Sequence, residues 1–129
     1  LEQSPEVMQE VSTLVIQAQS DLCEVRKMIH KIGFFIEKEK FCMDAGKPYL
    51  VMRAVRGEEK TPYEPAEYEY GRLLQEVSDT AYRKFLLDER DKKMKLQETL
   101  NMQKTSGAGA RVEELTEEIT GLNWILNKF

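Results

Sequence analysis

The sequence predicts an all-α fold: an elongated antiparallel helical hairpin, or coiled coil, with a C-terminal helix docked back against it. Apolar residues recur at spacings of three and four over most of the 129 residues. Charged residues make up 33% and apolar residues 41% of the chain, a mix typical of coiled coils and long helices. Only 7 Gly and 4 Pro are present, so few turns are expected.

The first predicted helix covers about residues 4–44. Ser4-Pro5-Glu6 has the features of a helix start, with a capping serine, a proline in the first turn and an acidic residue beside it. Gly46 suits the left-handed position that commonly follows a helix. The apolar residues between these points have the spacing of a coiled-coil seam; they are Val7, Val11, Leu14, Ala18, Leu22, Val25, Ile29, Ile32 and Ile36.

A connector over residues 47–64 and a second long helix over about 65–104 complete the predicted hairpin, which spans residues 1–106. The connector contains the apolar stretch Tyr49-Leu50-Val51-Met52, which is compatible with a strand. A helix is favoured there, because no second strand is evident to pair with it. Residues 88–95 are almost wholly charged, with acids four residues before bases, which predicts a solvent-exposed shaft.

Residues 107–110, Gly-Ala-Gly-Ala, interrupt the helical pattern. The favoured interpretation is a natural turn, and the alternative is an engineered linker that joins a helical domain to a partner peptide. The following segment, 111–129, has the cleanest heptad spacing in the chain and is predicted to be a docking helix. An isolated helix of this length is only marginally stable, so its apolar face should bind a partner surface. The predicted interaction residues are Val112, Leu115, Ile119, Leu122, Trp124, Leu126 and Phe129.

No residue is predicted to be catalytic, to bind a cofactor or to hold a metal. His30 is the only histidine, and no set of ligands accompanies it. Cys23 and Cys42 fall on the same predicted helix, too far apart for a disulfide, and free thiols favour an intracellular location, cytoplasmic or nuclear. No nucleotide-binding or hydrolase motif occurs.

Three tyrosines lie among acids in residues 61–70, at Tyr63, Tyr68 and Tyr70. Phosphorylation of these tyrosines, or of Thr61 before its proline, is one interpretation. Packing of the rings at the entry of the second helix is favoured.

These observations predict a non-catalytic helical interaction or scaffold module of a larger intracellular assembly, of cytoskeletal, chromosome-segregation or trafficking type. It would bind protein partners through helical seams, with a homodimer possible. The net charge of −4 argues against a nucleic-acid partner, and no segment is apolar enough to span a membrane. The alternatives are a membrane-surface helical scaffold, the engineered fusion and, least favoured, a small helical enzyme or metal carrier.

Overall fold

The computed structural model describes residues 12–103 and 106–129, and within them it contains three β-strands and five helices. The chain divides into two compact units, Leu1–Leu73 and Leu74–Phe129. The first unit is built on an antiparallel sheet, and the second is a helical hairpin. The all-α coiled-coil prediction is therefore wrong, because the chain has an α/β fold.

The described part of the first unit begins with a strand, a helix and a two-stranded hairpin, and a short helix follows the hairpin. Its elements are β1 (Thr13–Ala18), α1 (Leu22–Lys31), β2 (Phe34–Asp44), β3 (Lys47–Arg56) and α2 (Pro65–Tyr70). The sheet order is β1-β3-β2, and β3 is antiparallel to both neighbours. Successive side chains of a strand point to opposite faces, so one face of the sheet carries the core. Its buried residues are Phe34, Ile36, Phe41, Leu50, Met52 and Ala54.

The predicted helix over 4–44 is wrong from residue 13 onward, where two strands flank one ten-residue helix. The predicted heptad seam does not include Val15, Ile16 or Phe41. These are β-branched or aromatic residues, which a strand accommodates well. Short apolar runs fit both periods, so spacing alone did not distinguish strand from helix. The predicted start at residues 4–6 lies outside the described residues.

Gly46 belongs to a hairpin turn instead of a helix end. Asp44 pairs with Lys47 across a two-residue loop. Ala45 and Gly46 have φ angles of +50° and +79°, and positive values at both central residues are typical of the turns that best fit strand twist. The left-handed conformation of Gly46 was correctly predicted. A glycine in this conformation occurs both after helices and in hairpin turns.

The predicted long helix over 65–104 is divided into three: α2, α3 (Leu73–Glu76) and α4 (Thr80–Gln103). The breaks coincide with positive φ angles, +93° at Gly71 and +51° at Ser78. The helix start predicted at Pro65 is confirmed. Asp79 accepts a hydrogen bond of 2.9 Å from the backbone N–H of Tyr82 and so caps the start of α4.

The Gly-Ala segment 107–110 is helical and forms the first turns of α5 (Ser106–Leu126). Alanine is the best helix former, whereas each glycine costs about 1 kcal/mol relative to alanine, so the two alanines favour the helix that the two glycines weaken. Ala108 is also buried, seven residues before the buried Leu115, so it extends the same helix face. Residues 104–105, between α4 and α5, lie outside the described residues. No helix in the described part of the chain is long and apolar enough to cross a membrane.

Candidate functional site

A buried ion pair joins three elements of the first unit. The Arg26 side chain on α1 donates hydrogen bonds from Nε (3.1 Å) and Nη2 (2.7 Å) to Oε1 of Glu39 on β2. Its Nη1 donates to the carbonyl oxygens of Tyr68 (2.8 Å) and Glu69 (3.0 Å) at the end of α2. Both charged side chains are fully buried. Removal of either partner would leave an uncompensated charge in the interior. The ion pair joins α1 to β2, and the hydrogen bonds from Arg26 to the two carbonyls join α1 to the end of α2.

Gly71 allows the chain to pass directly beside this ion pair. A Cβ at this position would lie 2.8 Å from Oε2 of Glu39 and 3.0 Å from Nη2 of Arg26, and the φ angle of +93° also disfavours other residues. The backbone N–H of Gly71 donates a 2.7 Å hydrogen bond to the carbonyl of Glu67 and ends α2. Glycine is therefore required here for both space and conformation.

An aromatic cluster of His30, Tyr63 and Tyr68 lies next to the ion pair. Nδ1 of His30 is 2.8 Å from the hydroxyl oxygen of Tyr68, and the imidazole ring meets the Tyr63 ring edge-on at 4.7 Å between centroids. Burial lowers the pKa of His30, while the nearby Glu59 opposes this shift. Burial also raises the pKa of Tyr63. Both shifts favour the uncharged forms of His30 and Tyr63. The interpretation that these tyrosines pack is confirmed for the buried Tyr63.

Arg72 fastens the loop between β3 and α2. It donates hydrogen bonds to the carbonyls of Thr61 (2.8 Å) and Pro62 (2.7 Å) and to both carboxylate oxygens of Glu67 (2.6 and 2.9 Å). Its guanidinium also lies 4.2 Å from the centre of the Tyr63 ring. These contacts make the loop a fixed support for α2.

The buried and half-buried arginines of residues 12–73 bind groups of the chain itself. Within the described ranges, no group of three or more His, Cys, Asp or Glu side chains could hold a metal ion. Arg26 and Arg72 bind carboxylates and carbonyls of the chain itself. We missed both arginines in the sequence, because an arginine at a buried position looks the same as a surface arginine when no partner is known.

In the second unit, α5 packs along α4 in an antiparallel hairpin. Three polar pairs run across the hairpin in opposite chain order: Arg90 with Asn123 (2.9 Å), Lys93 with Glu118 (3.0 Å) and Gln97 with Thr116 (2.7 Å). Arg90 and Lys93 are only half exposed. The predicted exposed shaft over residues 88–95 is therefore exposed on one side only.

The predicted interaction residues separate into two groups. Leu115 and Leu122 are 0% exposed and Leu126 is buried, while Val112, Ile119 and Phe129 are half-buried. The buried members have little surface left for another protein. Trp124 is 37% exposed, with Nζ of Lys128 4.5 Å from its ring centre. Its role as an anchor for a protein partner stays a prediction.

A comparison with protein families shows the family of the chain. The family model described as "TrmK: tRNA (adenine(22)-N(1))-methyltransferase" matches residues 1–123. The chain belongs to the TrmK family. No curated protein matches the chain.

Solved structures share the fold of this TrmK-family chain. An uncharacterized protein from Listeria monocytogenes serotype 4b is 16% identical, with a TM-score of 0.84 over 92% of this chain and 53% of its own. The Bacillus subtilis m1A22 tRNA methyltransferase TrmK is 18% identical, with a TM-score of 0.75 over 88% and 51%. Streptococcus pneumoniae Sp1610, a putative tRNA (m1A22) methyltransferase in complex with S-adenosyl-L-methionine, is 18% identical, with a TM-score of 0.68 over 92% and 49%. The chain spans about half the length of these relatives.

Family membership overturns the predicted function. The family is one of tRNA-modifying enzymes, so the predictions of a non-catalytic scaffold, of no enzyme and of no nucleic-acid partner are wrong. The membrane-surface scaffold is wrong for the same reason. The engineered fusion is also wrong, because the match continues across residues 107–110 to residue 123. A mildly acidic net charge does not exclude an RNA partner, since RNA responds to the local charge of a surface.

The described residues do not fit the binding of S-adenosylmethionine. Nucleotide-type cofactors of α/β folds are commonly held by a glycine-rich turn between a strand and a helix. In this chain β1 leads into α1 through Gln19-Ser20-Asp21, which contains no glycine. Gly33 ends a helix and Gly46 lies in a hairpin turn, so neither is in such a turn. Residues 12–103 and 106–129 therefore contain no glycine-rich turn of this kind.

Proposed function

We propose that this chain is part of a methyltransferase that transfers a methyl group from S-adenosylmethionine to N1 of adenine 22 in tRNA. The observation that carries the proposal is the family match over residues 1–123. The S. pneumoniae relative, which has the same fold, is in complex with S-adenosyl-L-methionine. The reaction implies an intracellular, cytoplasmic location, since tRNA is modified there.

In this proposal the chain contributes RNA contacts, while the cofactor is held elsewhere. The helical hairpin is the better candidate surface, because its two helices differ in charge. Helix α4 has six basic and four acidic residues, a net charge of +2. Helix α5 has one basic and four acidic residues, a net charge of −3. The phosphate groups of RNA should bind to α4 rather than to α5, because α4 is the basic helix. Its exposed basic side chains include Lys84, Lys92 and Lys95.

The proposal is tested by expressing the whole protein to which this chain belongs, from its own gene, in a bacterial strain without this modification. We expect N1-methyladenosine at position 22 of tRNA. A methyl group on N1 blocks the Watson–Crick edge, so reverse transcription should stop there, and nucleoside mass spectrometry should identify the product. A tRNA whose adenine 22 is replaced by guanine is the matched control and should remain unmodified. Unmodified adenine 22 in the presence of folded protein would contradict the proposal, as would methylation at another position.

A further inference from the structure

A bulge in strand β2 decides which of its side chains face the core. Up to Ile36 every second residue of the strand is buried, and continued alternation would bury residues 38 and 40. The pairing with β3 is irregular between Ile36 and Lys38, and the next buried residue is Glu39, which binds Arg26. The bulge therefore turns Lys38 and Lys40 onto the face of the sheet opposite the buried core residues, called the open face here.

The open face is basic although the chain is acidic. Its charged residues are Glu37, Lys38, Lys40 and Asp44 in β2 and Lys47 and Arg53 in β3. Four bases and two acids give this face a net charge of +2, whereas the chain has a net charge of −4. None of the side chains that β2 and β3 direct to this face is buried. The positive charge of the sheet is therefore concentrated where solvent can reach it.

The two acids of the open face leave Lys38 and Lys40 without a counter-charge. The carboxylate of Glu37 lies 3.3 Å from Nε of Arg53, so it already neutralises another base. Asp44 lies at the hairpin end, four residues from Lys40, or about 13 Å along the strand at about 3.3 Å per residue. Among the residues that the structure describes, neither lysine forms an ion pair. Both ammonium groups are thus available to an external anion.

The stability of the sheet does not explain this arrangement. Lys38 lies directly opposite Arg53 in the ladder, and like charges in this position destabilise a sheet. Charged side chains do prevent an edge strand from pairing with further strands, which is the structural alternative for the lysines of β2. Burial of an unpaired lysine is costly, so we expect the part of the open face around Lys38 and Lys40 to stay accessible in the whole protein.

We propose that Lys38 and Lys40 on the open face bind the phosphate backbone of the tRNA substrate, as a contact in addition to that of α4. The positive charge complements the phosphates. The two lysines are two residues apart, about 6.6 Å along the strand, so each ammonium group meets a different phosphate of one RNA strand. Phosphate contacts carry no sequence information, so this surface orients the tRNA and does not select adenine 22. This inference rests on the proposed function for the identity of the RNA.

The test measures tRNA binding by the whole protein to which this chain belongs, at several salt concentrations. Lys38→Gln with Lys40→Gln should lower the affinity at low salt by about tenfold or more. It should also decrease the slope of log affinity against log salt by about 1.4–1.8, since each phosphate contributes about 0.7–0.9. Unchanged affinity and slope would overturn the proposal and would mean that the lysines only protect the edge of the sheet.

Lys27→Gln with Lys31→Gln is the matched control. It also removes two exposed lysines, but from α1, which binds the core face of the sheet through Arg26. This variant should bind tRNA as the unchanged protein does. Equal losses in the two double variants would show that tRNA responds only to net charge and would overturn the proposal.

Acetylation of lysine amines, followed by mass spectrometry, locates the contact in the unchanged protein. Bound tRNA should slow acetylation of Lys38 and Lys40 several-fold and leave Lys27 and Lys31 unaffected. A tRNA with guanine at position 22 should protect the same two lysines equally, because phosphates are read without regard to sequence. Absence of protection at Lys38 and Lys40, or protection that requires adenine 22, would overturn the proposal.

Failure of this contact and failure of the proposed function are distinguishable. Selective loss of tRNA binding in the Lys38 and Lys40 variant, without methylation of adenine 22 by the unchanged protein, would refute the proposed function and support the contact. Methylation of adenine 22 by the unchanged protein, with full tRNA affinity in that variant, would refute the contact and leave the proposed function intact.

Discussion

Gly71 is the residue whose substitution should reveal the buried ion pair most directly. We expect Gly71→Ala to lower the free energy of unfolding by about 2–4 kcal/mol, from the positive φ and from displacement of Arg26 and Glu39. Urea unfolding followed by circular dichroism measures the loss. Gly33→Ala is the matched control, since Gly33 has a similar φ of +87° but nothing within 4 Å of an added Cβ. Equal losses in the two variants would show that the ion pair contributes nothing to the requirement for glycine.

His30 should make the stability of the first unit depend on pH. Burial lowers its pKa below the ordinary value of 6.5, so in mildly acidic solution the unfolded chain binds more protons than the folded one. Stability should therefore be complete above pH 6.5 and fall as the pH decreases through the interval between 6.5 and the lowered pKa. Denaturant unfolding between neutral and mildly acidic pH measures the slope. His30 is the only histidine, so His30→Gln should remove the slope in this interval, and a slope that persists would contradict its origin.

The helical elements were predicted better than the strands, for a physical reason. A helix of 21 residues such as α5 repeats its apolar spacing several times, so the period is well determined. A six-residue strand such as β1 repeats its pattern at most three times, and its partners are distant in sequence. The pairing of β3 with β1 and β2 could not be inferred without knowing that Gly46 closes a hairpin.

The buried ion pair of the candidate site was not predicted from the sequence. Arg26 and Glu39 are thirteen residues apart, and Arg26 and Tyr68 are forty-two apart, so only the folded chain brings them together. The tyrosine cluster was predicted in part, because aromatic residues at a helix entry commonly pack. The strand β1 was not predicted, since its residues were assigned to the first long helix.

Helices α4 and α5 provide a test of which apolar residues stabilise the hairpin. Leu122 is 0% exposed, so we expect Leu122→Ala to lower the free energy of unfolding by about 2–5 kcal/mol, through lost burial and the cavity left behind. Trp124→Ala, two residues away, should cost well under half as much because the ring is partly exposed. Thermal unfolding compares the two. A larger loss for Trp124→Ala would mean that the ring, and not the seam, holds the hairpin together.

The tRNA contact proposed for the chain as a whole depends on where its charges lie rather than on their sum. Lys92→Glu with Lys95→Glu reverses two exposed bases on α4. We expect weaker tRNA binding and a decrease of about two in the slope of log affinity against log salt, since each lysine on a phosphate contributes about one. Binding measured at several salt concentrations gives this slope.

The matched control for that charge reversal is Arg111→Glu with Lys128→Glu, which changes the net charge equally but at the acidic α5 or just after it. Arg111 forms ion pairs with Glu114 at 3.0 Å and Glu118 at 3.6 Å, so its positive charge is already paired with acidic residues of α5. This control should leave the salt slope nearly unchanged. If both pairs of substitutions lower the slope equally, tRNA responds only to net charge, and α4 is not its binding surface. If only the substitutions in α4 lower the slope of log affinity against log salt, tRNA contacts the basic helix α4 and not the acidic helix α5.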